Sequence, residues 1–248
     1  MSSPAYASQH EVAPDVRELS QLVSADEGYE RWARTYDHVP NPLLAREERY
    51  LLPLLAKLRG EPVLDMACGT GRWLEKLAVN GGTGSIGIDR SKAMLQVANE
   101  KRAIHGRLSQ AACENLPFRS AAFDLAICSF ALGHIRELRS MVRELARVVR
   151  PRGNVFVSDL HSEAFSRGWR VGFRDEQRAI QIEMQPWTAE EIVRTFYANG
   201  FECLTYVPLC LGRAEQPIFA QAGKAHLFAD ACKVPAILIC HLKRLPVR

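Results

Sequence analysis

Two carboxylates and one glycine turn have the types and spacing of a ligand site. Asp65 follows the apolar pair Val63-Leu64 and leads into Met66-Ala67-Cys68-Gly69-Thr70-Gly71. Gly69 and Gly71 allow positive φ and let a ligand approach the backbone closely. A carboxylate beside such a turn repels phosphate and suits a cationic or amine-bearing ligand. Asp89 comes 24 residues after Asp65, at the end of Ser85-Ile86-Gly87-Ile88. In a βαβ unit an acid at that place reaches ribose hydroxyls and can accept both of their protons, which fits an adenosine moiety. His134 and His161 each follow a later apolar strand. Histidine titrates near neutrality, so either could take a proton from an oxygen or nitrogen acceptor. Either could equally be structural, and chemistry without a protein base stays open.

Two rival glycine motifs are excluded by counting. The dinucleotide fingerprint needs G-x-G-x-x-G. From Gly69 its third glycine would fall on Leu74, and from Ala67 on Arg72. The phosphate-cradling loop ending in Gly-Lys-Ser/Thr is also missing.

The elements that must position these residues follow from periodicity. Val63 and Leu64 begin a buried strand, and Trp73, Leu74, Leu77 and Ala78 carry the spacing of a helix packed on a sheet. Before them, residues 42–58 read as one amphipathic helix, kinked or broken at Pro53 and closed by Gly60. After them, 80–84 reads as a turn cluster and 85–89 as a second strand. Ser91 is placed to cap a helix carrying Met94, Leu95, Val97 and Ala98. Further strands are expected at 108–112, 123–129, 154–160, 201–209 and 235–242. Helices are expected through Leu138–Val149 and, after the capping box Thr188-x-x-Glu191, through Tyr197. Ile180, Ile182 and Met184 alternate with polar residues as a half-exposed strand would.

Asp65, the Ala-Cys-Gly-Thr-Gly turn and the residues after it resemble the class I S-adenosylmethionine (SAM)-dependent methyltransferases. The resemblance is closest to the small-molecule branch that includes ubiquinone and menaquinone methyltransferases, and it covers about residues 29–160. Further matches are Cys113-Glu114-Asn115-Leu116-Pro117-Phe118 and the run from Arg147 through Pro151-Arg152-Gly153. The resemblance implies an α/β fold: a Rossmann-like, doubly wound, seven-stranded sheet, mostly parallel with an antiparallel last strand, plus an N-terminal helical lid. It implies SAM as cofactor, held by Tyr36, Asp65, Ala67, Gly69, Gly71, Asp89, Arg90, Met94, Cys113, Glu114 and Ser129. Ala67 stands where the family usually has its first glycine, and Ala112 where it has an adenine-binding Asp. Adenine recognition then falls to backbone near Cys113 or to Glu114. Met94 fits the adenine wall and plain core equally. Tyr29, Trp32 and Tyr36 have helical spacing that alone fits a packing face; the resemblance makes this segment the lid, with Tyr36 as its contact. Gly133 should let the chain bend sharply so that His134 points inward. Phe130, Trp169 and Phe173 are expected to line an apolar acceptor pocket.

The chain is expected to divide into a flexible 1–22, a lid over 23–60, and a catalytic domain over 61–248 with excursions near 162–187 and 210–234. Its 248 residues, 47% hydrophobic and 24% charged, suit one soluble α/β unit. A net charge of +4 does not indicate nucleic acid or membrane. The start, Met1 to His10, lacks the pattern of a secretory signal, and no apolar run suits a bilayer span. Seven cysteines without a Cys-x-x-Cys pair read as reduced thiols of a cytoplasmic protein, with no metal cluster. The expected activity is methyl transfer to a small molecule by a monomer or homodimer. A non-catalytic SAM-binding or partner-binding protein is the alternative. A nucleic-acid methyltransferase is the weaker one, since Ser129-Phe130-Ala131-Leu132 occupies the place of Asn/Asp-Pro-Pro-Tyr/Phe.

Overall fold

The computed structural model describes residues 21–58, 62–79, 84–175 and 178–246. The helix stop at Gly60, turn residues 80–83 and the first twenty residues lie outside these. The chain begins with β1 (Gln21–Val23), α1 (Ala25–Trp32) and α2 (Pro42–Leu55). The alternation β2 (Val63–Met66), α3 (Arg72–Val79), β3 (Ile86–Asp89), α4 (Lys92–Asn99) and β4 (Leu108–Gln110) follows. Next come β5 (Phe123–Ser129), α5 (Leu138–Val148), β6 (Val149–Leu160) and α6 (Ser162–Ser166). The last part holds β7 (Gly172–Arg174), β8 (Ala179–Ile182), α7 (Ala189–Ala198), β9 (Phe201–Cys210), α8 (Gln216–Gln221), α9 (Phe228–Ala231) and β10 (Pro235–Arg244).

Seven strands form one sheet in the order β4-β3-β2-β5-β6-β10-β9. The β2, β3, β4, β5 and β6 neighbours pair in parallel, and β10 runs antiparallel to both β6 and β9. This is the doubly wound, Rossmann-like sheet expected from the sequence. Alternate residues of the strands feed two cores. Leu64, Met66, Ala126, Cys128, Val155 and Val157 face α5 and α7, whose Met141, Leu145, Ile192 and Phe196 are buried against them. Val63, Leu125, Ile127 and Phe156 face α2 and α3, meeting Leu51, Leu55, Trp73 and Leu77. Period-2 alternation with helices on both faces is why these strands read as nearly continuous apolar runs.

A second sheet of three strands, β1-β8-β7, goes beyond the sequence expectation. β1 pairs in parallel with β8, with Gln21 opposite Ile180 and Val23 opposite Ile182. Residues 21 and 22, expected to be flexible, are therefore in a strand. This sheet packs Val23, Ile180, Ile182 and Phe173 against Trp32 of α1. The N-terminal helix and the excursion after β6 thus share one small core beside the large sheet.

Asn41 caps α2 by accepting from the N–H groups of Leu43 and Leu44, and Pro42 stands in the first turn, where its missing N–H costs nothing. Pro53 does not break α2: it lies near the end, and the helix runs to Leu55 before tightening into a 3-10 turn. The buried row of α2 includes Glu47, Leu51 and Leu55, spaced by four. An acid in that row is an anomaly, and its partners lie in the site.

Candidate active site

A cavity of about 820 Å³ lies over the C-terminal ends of β2, β3 and β5 and under α1. Strand ends on this side form the ligand crevice of such sheets. Its wall draws residues from the glycine turn, the end of β3, the loop after β5, α1 and the segment following β8.

The glycine turn has three left-handed residues, Ala67 (φ 56°), Gly69 (φ 54°) and Gly71 (φ 80°). A Cβ on Gly69 would meet no protein atom within 4 Å, so its bare backbone faces open space in the cavity wall. Gly71 does not line the cavity. A Cβ there would clash with the Ile104 side chain, and its left-handed φ favours glycine, so this position shapes the turn that starts α3. Ala67 takes a left-handed conformation with a side chain present, an arrangement that costs free energy relative to glycine.

Asp65 is 2% exposed, and its Oδ2 is buried without a hydrogen-bond partner. Burial pushes its carboxyl up to about 7, against the opposing pull of Arg72 and the Leu74 N–H. Arg72, the first residue of α3, faces the same cavity. Its Nη2 donates to the Glu47 carboxylate and, at 2.9 Å, to Ser129 Oγ. Its Nη1 is buried with no hydrogen-bond partner and stands 3.8 Å from a Glu48 oxygen. Glu47, fully buried, also accepts from Ser129 Oγ at 2.7 Å and from Ser158 Oγ. α2 thereby fixes the guanidinium and ties the ends of β5 and β6. One orphaned acid oxygen and one orphaned guanidinium nitrogen on residues that line the cavity are complementary to an α-amino acid group.

Asp89 accepts from Gly69 N and Ser91 N, both at 2.8 Å. Burial raises its pKa while the N–H groups of Ser91, Gly69 and Arg90 pull it down. Each oxygen keeps a lone pair for a further donor. Met94, 2% exposed, lines the same end with Arg90, Cys113 and Glu114. Arg90 also pairs with Asp26 of α1 at 3.1 Å. Tyr36 lines the cavity from the segment after α1, and burial lifts its hydroxyl to about 12. The neighbouring Asp37 accepts from Thr70 Oγ1 at 2.8 Å and pairs with Lys101 at 2.9 Å, latching this segment onto the glycine turn.

At the other end stands a Tyr29–His134 pair. His134 Nδ1 lies 2.9 Å from the Glu183 carbonyl, which can only accept, so Nδ1 carries the proton. Nε2 is then a lone pair, and it accepts the Tyr29 hydroxyl at 2.9 Å. Burial lowers the His134 pKa and raises that of Tyr29 well above its usual value, so both are neutral. Gly133 sits in a tight 3-10 turn over Leu132–His134 without a positive φ, and His134 lines the cavity. A Cβ on Gly133 would meet Met184 at 2.7 Å and the Gln185 carbonyl at 3.3 Å, so close approach is what it provides. Its N–H donates to buried Asp159 at 2.6 Å, which fixes the loop that carries His134. Phe130 lines this end with φ 50°, a strained conformation for an aromatic residue.

Three expected site residues stand elsewhere. His161 caps α6 and bonds Tyr206 at 2.8 Å, outside the cavity wall. Trp169 is buried in the α2–α3 core. Phe173 is stacked on Trp32 at 5.1 Å in the small core. Both aromatic side chains are used up by packing, so neither faces the cavity. Conversely, sequence reasoning misses Tyr29, Glu47, Arg72 and Asp159 as site residues. For Glu47 a signal exists: an acid in the buried row of an amphipathic helix needs a buried partner.

Residues 63–153 match a family described as a methyltransferase domain. The demethylmenaquinone methyltransferase of Bacillus licheniformis is 31% identical over 140 residues, covering 51% of this chain and 58% of that protein. An O-methyltransferase of Aspergillus nomiae is 30% identical over 160 residues, covering 62% of this chain and 70% of that protein. The chain spans 58% and 43% of the first two demethylmenaquinone methyltransferases it matches. Among solved structures, a SAM-dependent methyltransferase from Mesorhizobium loti superposes with a TM-score of 0.66 at 17% identity, covering 82% of this chain and all of that one. At that identity the likeness is one of fold.

Proposed function

The chain belongs to the class I SAM-dependent methyltransferases, and we propose that it transfers a methyl group from SAM to a small-molecule acceptor. The observation that carries this is that two residues lining the cavity, Asp65 and Arg72, each keep a buried polar atom without a hydrogen-bond partner, Oδ2 and Nη1. They fit the α-ammonium and α-carboxylate of the cofactor's methionine end. Asp89 would accept the ribose hydroxyls, and Met94, Cys113 and Glu114 would border the adenine. When bound, SAM supplies a sulfonium-activated methyl group.

The protein's part is positioning and proton handling. The Glu47 network holds Arg72, and the Asp37 latch holds the Tyr36 segment over the turn. For a hydroxyl acceptor, Tyr29 Oη takes the acceptor's proton as its own passes to His134 Nε2. The resulting imidazolium keeps its Nδ1–H bond to the Glu183 carbonyl. His134 therefore acts through Tyr29 rather than as a lone base. Among the described residues no helix is long and apolar enough to cross a membrane. A cytoplasmic monomer or homodimer that does not act on nucleic acid completes the reading.

Calorimetry with SAM tests it. Asp89→Ala should weaken binding by about 1–3 kcal/mol, the scale of a lost charged hydrogen bond. Unchanged affinity in that variant refutes the assignment.

A further inference from the structure

We propose that the acceptor carries an anionic group, a carboxylate on an aromatic or conjugated ring, bound by Arg136 and Arg170 at the end of the cavity away from the glycine turn. This rests on the methyltransferase reading only in calling the bound molecule the acceptor. Both arginines line the cavity. Arg136 follows the loop after β5, and Arg170 follows α6 after β6. The cofactor residues follow β2 and β3, so the two cations stand farther along the sheet.

Arg170 is held in place. Its Nη1 donates to the carbonyls of Phe165 at 2.6 Å and Trp169 at 2.8 Å, and its guanidinium carbon lies 3.8 Å from the Phe165 ring centroid. Two carbonyls and a ring fix the plane, and among the described residues Nε and Nη2 have no hydrogen-bond partner, which suits them to a bidentate one. Neither carbonyl neutralises its charge. Arg136 is exposed and forms no hydrogen bond or ion pair among the described residues. Elsewhere the guanidinium groups of Arg31, Arg49, Arg72, Arg147 and Arg150 each face a carboxylate. Arg136 and Arg170 thus line the cavity with no carboxylate partner among the described residues. Glu183 is the carboxylate on this part of the wall, exposed, and one negative charge leaves the cations in excess. Phe130, Phe165 and Met184 supply apolar surface for a ring on the same wall. A flat apolar body with an acidic group satisfies both surfaces, and a neutral or cationic acceptor leaves the arginines unused.

The test measures binding, not turnover. Protein loaded with S-adenosylhomocysteine is titrated with 1-hydroxy-2-naphthoate and with its neutral isostere 1-hydroxy-2-naphthamide. The naphthoate should bind about tenfold tighter, the scale of one charge-assisted hydrogen bond. Arg136→Gln, at an exposed position that does not endanger the fold, should shrink that preference by about threefold. Arg136→Gln with Arg170→Gln should abolish the preference while S-adenosylhomocysteine still binds. Equal affinity of the two ligands for the wild type, binding of neither, or a preference that survives in full in Arg136→Gln overturns the proposal. If S-adenosylhomocysteine itself does not bind, the methyltransferase reading fails. The naphthoate preference then still decides the anion site on the unloaded protein.

Discussion

Replacing Asp65 with an asparagine isolates the charge that the site holds in reserve. Burial lifts this carboxyl to about 7, so near pH 7 about half of the molecules carry a proton there. An α-ammonium group binds only the ionised form. The ionised share falls to about a tenth at pH 6, so SAM affinity should drop about fivefold between pH 7 and pH 6. The same coupling should release about half a proton per SAM bound near pH 7, read by calorimetry in buffers of different ionisation enthalpy. Above pH 7 the gain is limited, because an α-amino group itself titrates near 8. The Asp65→Asn variant stays neutral throughout. It should weaken SAM by about 10- to 100-fold at pH 7, remove the pH 6–7 slope and stop the proton release. The sign for stability is opposite. A carboxyl whose folded pKa is raised stabilises the fold at low pH and loses that contribution as pH rises through about 7. The ligand-free protein should therefore melt at a lower temperature at pH 8 than at pH 5.5, and Asp65→Asn should flatten that trend. Wild-type affinity and an unchanged pH slope in Asp65→Asn would refute the reasoning.

Two further outcomes follow from particular contacts. Tyr29→Phe removes the donor to the neutral form of His134, so the His134 pKa should rise, as read by NMR titration of the ring protons; an unmoved pKa would mean the bond is not formed in solution. Ala67→Gly relieves a left-handed alanine at φ 56° and should stabilise the fold by about 0.5–1 kcal/mol in urea denaturation, after glycine's entropic cost; a loss of stability would contradict the strain assignment.

The sheet is legible in the sequence because its strands are buried on both faces and its turns are marked by glycine. Val63–Met66, Ile86–Asp89 and Phe123–Ser129 bring Asp65, Gly69 and Asp89 to one edge, as the spacing predicts. What the sequence hides comes from long-range contact. Nothing local to Gln21–Val23 announces a strand; it forms because β8, more than 150 residues later, offers an edge. Trp169 and Phe173 look like pocket residues by sequence position, but an aromatic side chain follows whichever apolar surface is nearest. Trp32 captures Phe173, and the α2–α3 core captures Trp169. The helical spacing of Tyr29 fits an aromatic packing face. That face exists, with Tyr29 and Trp32 stacked at 6.1 Å, and only the hydroxyl reaches past it to His134. Arg72 carries no local signal, since an arginine at a helix start is ordinary until Glu47 is seen beside it.

The central claim is methyl transfer itself, and its most direct test follows the methyl group. Purified protein is incubated with SAM carrying a labelled methyl group and a small-molecule extract, and both labelled products and S-adenosylhomocysteine are quantified. Methyl transfer predicts label in a small-molecule product with one S-adenosylhomocysteine formed per methyl moved, and loss of both in Asp89→Ala. Tight SAM binding with no S-adenosylhomocysteine formed over a broad extract would contradict it and favour a protein that binds SAM without catalysis.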